Sequence, residues 1–527
     1  MRKDAPVNPP FRRVLIANRG EIALRILRAC RELGMEVVAV HSDADAAMPW
    51  VRRADIAVRL GPAPARDSYL RADRIVEAAR ATGAEAVHPG YGFLSEQADF
   101  ARAVEAAGLA FVGPRPDAIA ALGDKLAARR TAAGAGVPVV PGSLEAVAVE
   151  ASDVDAIVGQ ATEIGFPIMV KAAAGGGGRG MRRAATAGEL PAAIAAGSAE
   201  ARSAFGDGRV YLEREIRPAR HIEVQLLGDA TGRVVALGER DCSVQRRHQK
   251  LVEEAPAPGL STDERRTLHE HAIRAAVAAG LENAATAEFL RDPTGAIWFL
   301  EVNARLQVEH GVTELVSGID IVQEQFRIAA GRELSDATLA AAANAARPAA
   351  HAIEIRLSAE DPARDFAPVP GRVGTWRPPG GPGVRVDTAL EDGAVVPPDY
   401  DPLVAKILVV AGDRDAAIDR LRRALEETEI SGIQTTLPFH RALVRDASFR
   451  EARLSTGWVA EHWDGPASRA EAGRLAAVAA GLAAQDPARP AVASPGVTGA
   501  GAAADGRTSN PGWPAAARAA AVDRWPR

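Results

Sequence analysis

The chain has 527 residues, a formal net charge of −5 and only 4% aromatic residues, a size that predicts about two to four domains with ample core. Basic and acidic residues are interspersed with no long basic stripe, which argues against a nucleic-acid partner, and no run reaches the roughly 18 apolar residues of a membrane span. Two cysteines, Cys30 and Cys242, cannot build a disulfide framework, and residues 1–10 lack a signal-peptide core, so the expected location is the cytoplasm.

The first stretch reads as a strand over 13–17, a helix over 21–33 with Ile22, Leu24, Ile26 and Leu27 near one face, a stop at Gly34, and a strand over 35–41. This βαβ opening predicts a parallel sheet. It continues through a helix over 72–81, a strand over 84–88, a helix over 96–107 and a strand over 110–112. The loop from His88 to Phe93 follows a strand's carboxyl end, where ligands bind in such sheets. A single linker helix is expected over 116–133, before the break at Pro138, Pro141 and Gly142.

The next segment, about 143–215, reads as a separate lid lobe. Its centre is a glycine cluster, Gly175 to Gly180, interrupted only by Arg179. A strand over 166–173 enters it and a second over 180–184 leaves it, so it forms a hairpin flap. No Gly-Lys-Ser/Thr follows, which excludes a Walker loop, and no helix opens at its last glycine, which makes it a poor dinucleotide fingerprint. Glycines let backbone N–H groups approach phosphate oxygens, as a lid over a nucleotide triphosphate requires.

From residue 216 to about 462 an α+β body follows. A hairpin is expected, with strands over 284–292 and 296–303 and a turn at Pro293-Thr294-Gly295; with Thr294 and Gly295 as its tip, Glu288 lies opposite Glu301. Facing carboxylates destabilise a hairpin unless a cation lies between them. Glu288, Glu301 and Asn303 are therefore candidates to hold Mg²⁺ or Mn²⁺. Downstream, Glu301, Asn303, Arg305, Gln307 and Glu309 alternate with Val302, Ala304, Leu306 and Val308. Such alternation predicts an extended strand with one buried face. Its polar face carries groups that hold a metal, bind an anion and move a proton.

Lysine is scarce: Lys3, Lys125, Lys171, Lys250 and Lys406 stand among many arginines. A compact ammonium is not interchangeable with a planar fork. Lys125 follows Gly123-Asp124, Lys171 precedes the glycine cluster, and Lys250 ends the run from Gln245. Arg246, Arg247, His248 and Lys250 are expected to form an anion pocket. Beyond Gly465 the chain is of low complexity, with one alanine-rich helix over 468–484 and an Ala/Pro/Gly tract expected to be disordered. Trp513 and Trp525 suggest a short docking segment within it.

Taken together these stretches resemble biotin carboxylase, an ATP-grasp enzyme, from about Arg12 to Trp463. The resemblance rests on Ile16 to Ala23, His88 to Glu96, Gly123-Asp124-Lys125, Lys171 to Met181, Glu239 to Pro258 and Glu301 to His310. It implies a mixed α/β and α+β fold. The units would be an N-terminal parallel-sheet domain at 1–115, a linker helix at 116–142 and an ATP-grasp lid at 143–215. A catalytic body at 216–345, a C-terminal domain at 346–463 and a tail at 464–527 would follow. It implies that bicarbonate attacks ATP to give carboxyphosphate and that the released carbon dioxide carboxylates biotin, the first half-reaction of an acetyl-CoA or other acyl-CoA carboxylase. By matching motif, Lys125, Lys171, Glu213, Arg214, Glu215, Ile216, His221, Gln245 and His248 would surround ATP, with Glu288 and Glu301 beside them, and Gly177 and Gly178 would cover its phosphates. Glu288, Glu301 and Asn303 would hold the metal. Lys250, Arg305, Gln307 and the Val308 backbone would hold bicarbonate, with Glu309 as its base. Arg356 would stabilise the biotin enolate, with Tyr91 near the ureido ring.

There are departures. Arg214-Glu215 stands where the family shows lysine and an aromatic, Gly311 where proline is usual, and Ala304 where threonine is frequent. Gly311 is expected to loosen the turn beside Glu309. The family attaches biotin to a lysine between methionines, and none of the five lysines has a methionine neighbour. Biotin is thus expected on a separate carrier protein, with carboxyltransferase subunits as further partners and a homodimer by family resemblance. Another ATP-grasp ligase would lack the set Arg305, Gln307, Glu309 and Arg356, and a silent scaffold would have lost Lys250, Glu288 or Glu309.

Overall fold

The computed structural model describes residues 9–147, 154–173 and 180–484. The N-terminal strands β1 (Arg13–Ile16), β2 (Glu36–Ser42), β3 (Ile56–Gly61), β4 (Ala86–His88) and β5 (Ala110–Phe111) form a sheet of order β3-β2-β1-β4-β5. Every pairing in it is parallel, as the βαβ opening predicts. The strand β3 is an addition to the sequence reading. Helix α1 (Gly20–Glu32) follows β1 and buries Ile22, Leu24, Ile26, Leu27 and Cys30.

The strand order reverses between β1 and β4, and the crevice at their carboxyl ends is where such sheets bind ligands. The Asn18 amide donates there to the carbonyls of Pro89 (2.7 Å) and Tyr91 (2.8 Å), fixing the loop after β4. Gly90 has φ +65°, and a Cβ on it would meet the Asn18 amide nitrogen at 2.9 Å, so only glycine fits.

The linker is two helices, not one: α2 (Pro116–Gly123) and α3 (Lys125–Gly134). They break at Asp124, whose side chain leaves the helical path to accept from the Ala127 N–H at 2.9 Å. Strands β6 (Ile168–Ala172), β7 (Arg182–Ala184) and β8 (Val210–Arg214) make a separate three-stranded sheet of order β7-β6-β8. The flanks of the glycine cluster do pair antiparallel, Ile168 with Ala184 and Val170 with Arg182.

The body is one eight-stranded sheet. Its strands are β9 (Arg220–Gly228), β10 (Val234–Arg246), β11 (Gln249–Ala255), β12 (Asn283–Arg291), β13 (Ile297–Asn303), β14 (His351–Ser358), β15 (Val384–Thr388) and β16 (Leu403–Ala411). They run in the order β13-β12-β9-β10-β11-β14-β16-β15, all antiparallel. Helix α4 (His310–Ser317) packs across β10, β14 and β16. The two large sheets share a core: Leu15, Val38 and Val87 of the first lie in one apolar cluster with Ile222, Val224, Phe289 and Phe299 of the second. Among the described residues no helix is long and apolar enough to cross a membrane.

Helix α5 (Gly465–Ala484) closes the described chain. It is tied to the body through Arg469, 2.7 Å from Asp361. Trp513 and Trp525 lie outside the described residues.

Candidate active site

The hairpin of β12 and β13 places Glu288 opposite Glu301 and Thr286 opposite Asn303. The turn is at Pro293-Thr294-Gly295 as expected, but the register does not come from a two-residue tip within it. The tip is a three-residue turn, in which the Asp292 N–H donates to the Ala296 carbonyl at 2.9 Å. A bulge between Glu288 and Phe289 then takes up the extra residue and restores the facing carboxylates. The Glu288–Glu301 pair continues across the sheet as Glu223 on β9 and Arg240 on β10. Farther on, Glu253 on β11 faces Glu354 on β14, and Arg356 faces Lys406 on β16, which faces Asp387 on β15. All eight strands contribute a charged residue to this row.

Buried charges must be paired, and the row is knitted by direct contacts. Lys125, at the start of α3, lies 3.0 Å from Glu301. Lys250 donates to Glu223 (2.5 Å), Glu288 (3.0 Å) and Glu309 (2.6 Å). It can reach all three because the β10–β11 ladder is twice irregular between Asp241 and Gln245. Arg356 donates to Glu253 (2.6 Å) and to the second oxygen of Glu309 (2.8 Å). Glu309 has no exposed surface. Burial pushes its carboxyl up, but Lys250 and Arg356 outweigh that and hold it well below the usual carboxylate range. Glu288 is likewise driven low, against burial, by Lys250 and His221. His221 lies 3.1 Å from Glu288, and its pKa rises, burial notwithstanding, because of that carboxylate.

The segment after Asn303 departs from the expected strand. β13 ends there, at the sheet edge, and the chain bends as the Arg305 N–H donates to the Asn303 carbonyl at 2.9 Å. The alternation holds only as far as Leu306: Ala304 and Leu306 are buried, but beyond the bend Gln307 and Glu309 are buried as well and Val308 is half-buried. Arg305 bonds Gln307 (2.8 Å) and pairs with Glu96 (2.9 Å). The Gln307 amide nitrogen is buried without a hydrogen-bond partner among the described residues, as a donor aimed at a ligand would be.

The oxygen-rich set fits a hard divalent cation. Glu288 and Glu301 face each other across two strands, and the Asn303 amide lies 2.9 Å from Glu288. Three cationic side chains, Lys125, Lys250 and His221, balance these acids.

The nucleotide candidates lie on the three-stranded sheet, just after it, and on the β10–β11 pair. Lys171, on β6, pairs with buried Glu213, which also holds Arg129. Arg214 turns onto the Trp298 ring, 5.8 Å from its centroid, and Glu215 pairs with Arg183 at 2.7 Å. Ile216 is half-buried and Gln245 buried. His248 occupies the β10–β11 turn, where burial first and then the charges of Lys171, His221 and Lys125 lower its pKa. Gly177 and Gly178 lie outside the described residues. Tyr91 donates to Glu21, and Arg356 is close enough to act on its hydroxyl. The anion pocket expected of Arg246, Arg247, His248 and Lys250 does not form as one unit. Arg246 and Arg247 turn to Asp365, each at 2.6 Å, because the two-residue turn at Arg247-His248, both with positive φ, aims them away from Lys250.

Sequence reasoning missed Glu223, Glu253 and Lys406. A signal for Glu223 existed: His221, Glu223 and Gln225 alternate with Ile222, Val224 and Leu226, as in the hairpin.

Three family models match the chain in order. They are the biotin carboxylase N-terminal domain at residues 10–119, the carbamoyl-phosphate synthase L chain ATP-binding domain at 124–337, and the biotin carboxylase C-terminal domain at 354–461. The chain is 48% identical over 441 residues to biotin carboxylase of Pseudomonas aeruginosa, covering 83% of this chain and 95% of that one. It is 46% identical over 457 residues to a pyruvate carboxylase subunit of Methanothermobacter thermautotrophicus, covering 86% and 90%. Its fold matches the biotin carboxylase domain dimer of Hydrogenobacter thermophilus 2-oxoglutarate carboxylase, solved with MgADP, ADP and bicarbonate. The TM-score is 0.81 at 44% identity, covering 86% of this chain and 98% of that one. With a row of buried charges built by the whole sheet, and with relatives alike along nearly their full length, the chain belongs to the biotin carboxylase family.

Proposed function

We propose that the chain carboxylates biotin at the expense of ATP and bicarbonate, with the roles divided along the charged row. The observation that carries this reading is the buried Glu309 carboxylate, held by Lys250 on one oxygen and Arg356 on the other. It sits beside Arg305 and the Gln307 amide nitrogen, which has no hydrogen-bond partner among the described residues. A base, anion donors and a cation for an enolate thus share one pocket.

Lys125 and Lys171 hold the ATP phosphates, and Glu288, Glu301 and Asn303 hold Mg²⁺ or Mn²⁺. The metal, when bound, draws charge from the phosphates during transfer. With the side chains of Arg214 and Glu215 engaged elsewhere, the backbone of 214–216 meets the adenine. Lys250, Arg305, Gln307 and the Val308 N–H orient bicarbonate, and Glu309 removes its proton as its oxygen attacks the γ-phosphate. Arg356, a fixed cation, then meets the charge that develops on the biotin ureido oxygen. Tyr91 stands on the biotin side, beside Arg356.

Biotin comes from outside these residues, since no lysine here has a methionine neighbour. Its carrier protein and a carboxyltransferase are the partners, and two copies pair. The relatives include a 2-oxoglutarate carboxylase domain as well as a pyruvate carboxylase component, so the final acceptor is set by the carboxyltransferase. The test is phosphate release with Mg²⁺, bicarbonate and biotin omitted in turn. Turnover is expected only with all present, and full turnover without bicarbonate would refute the reading.

A further inference from the structure

Lys125, Lys171 and Lys250 are absorbed by the reaction as derived, and Lys3 lies outside the described residues. Lys406 remains. It lies mid-strand on β16 with no exposed surface. Burying an ammonium costs several kcal/mol unless it is well paired. Its Nζ donates to the Val308 carbonyl at 2.7 Å and lies 3.4 Å from Glu21 and 3.8 Å from Asp387. Glu354 also acts on it from β14, and Arg385 opposes its charge. Against burial, the carboxylates keep the ammonium protonated.

These partners come from separate parts of the chain. Glu21 opens α1 behind the N-terminal sheet, Val308 lies in the bend before α4, and Asp387 is on β15. The peptide that Lys406 grips joins Val308 to Glu309. The Glu21 oxygen that faces Lys406 also accepts the Tyr91 hydroxyl. One ammonium therefore touches the bend that carries the base and, through a single carboxylate, the residue on the biotin side.

Resting on the roles proposed above for Glu309 and Tyr91, we propose that Lys406 is a positioning residue. It fixes the Val308–Glu309 peptide so that the base meets bicarbonate, and through Glu21 it sets that peptide in register with Tyr91. Arginine is no substitute, because its planar fork does not present donors to partners on three sides of a point. Without the ammonium, the Val308 carbonyl loses its donor and the Glu21 carboxyl, already pushed up by burial, loses the cation that faces it, which lets the bend shift. A displacement of about 1 Å at a reacting group costs on the order of 100-fold in rate.

The experiment measures Lys406→Met, Glu21→Gln and Glu309→Gln in the full chain. It follows biotin-dependent phosphate release across bicarbonate, biotin and ATP concentrations, per folded protein, with thermal melts alongside. For Lys406→Met the expectation is a fall in kcat of about tenfold or more, a raised KM for bicarbonate, and an ATP KM close to the parent's. Glu21→Gln is expected to raise the KM for biotin with a smaller loss in kcat. A role in stability alone would lower the melting temperature and leave these constants unmoved. A folded Lys406→Met enzyme with kcat and bicarbonate KM like the parent's would overturn the inference. Should that variant not fold, a Glu21→Gln enzyme with unchanged biotin and bicarbonate KM would do so. An active Glu309→Gln would instead bring down the underlying assignment of the base. An inactive Glu309→Gln beside a parent-like Lys406→Met would fell the Lys406 inference alone.

Discussion

Glu309 is held by two cations that the reaction must share with its substrates. Lys250 and Arg356 keep the carboxylate ionised, which readies it to accept a proton but leaves little drive to do so. Bicarbonate brings a negative charge to the same cations. Their hold on Glu309 weakens as they turn to it, and the proton affinity of the base rises when it is needed. Glu309→Gln should therefore lower kcat by about 10²- to 10⁴-fold while moving the bicarbonate KM less, because proton removal belongs to the transition state. Lys250→Gln should change both constants, since Lys250 meets bicarbonate before and during attack. Steady-state kinetics across bicarbonate concentrations check both, and a Glu309→Gln enzyme within about threefold of the parent, far short of the general-base range, would move the base elsewhere. Glu253 differs from Glu309: burial, only partly offset by Arg356, pushes its carboxyl up to about 7. A carboxyl that binds its proton more tightly in the folded chain than in the unfolded one contributes stability through that proton. That contribution is full below the unfolded value and disappears as pH rises toward 7. The parent's melting temperature should fall over that window, and Glu253→Gln should flatten the fall.

The β12–β13 hairpin carries its own prediction. Facing acids alone would make Glu288→Gln stabilising. In the structure Glu288 already pairs with Lys250 and His221. Its loss leaves buried cations short of a partner, which typically costs about 3–5 kcal/mol. Glu288→Gln and Glu301→Gln should abolish activity, and Glu288→Gln should also lower the melting temperature; retained activity in both would remove the metal role. At α4, Gly311 sits inside the first helical turn, so it does not loosen the bend. A Cβ there would meet Leu408 Cδ2 at 2.5 Å. Gly311→Ala should cost on the order of 1–3 kcal/mol by overpacking, and less in a Leu408→Val background, as a denaturant double-mutant cycle would measure. The hairpin was legible because its partners are close in sequence and its turn residues announce it. The bend after Asn303 was not, because its alternation of apolar and polar residues is also that of a strand. Glu253 was not legible either, because its neighbour Glu354 lies far along the chain and only the folded sheet sets them side by side.

The whole molecule joins the N-terminal sheet to the eight-stranded sheet through a shared core, while α5 rests on the body mainly at its start. The Trp463 indole donates to the Pro362 carbonyl at 2.9 Å, and Arg469 reaches Asp361. Farther along, Leu475, Val478 and Leu482 are exposed. Ending the chain after Asp464 should therefore preserve carboxylation of free biotin and lower the melting temperature only modestly, since one partly exposed ion pair contributes little. A truncated protein that fails to fold would place the helix in the body.

The row of charges also sets an order in time. The chain emerges from the ribosome amino end first, and the residues for ATP and metal are made well before Leu403–Ala411. Until that strand is out, the strand with Arg356 is an open edge and the Val308 carbonyl has no ammonium to meet. At typical synthesis rates the interval is on the order of ten seconds. Until then a nascent chain holds the residues proposed for ATP and metal without the ammonium that grips the peptide before Glu309.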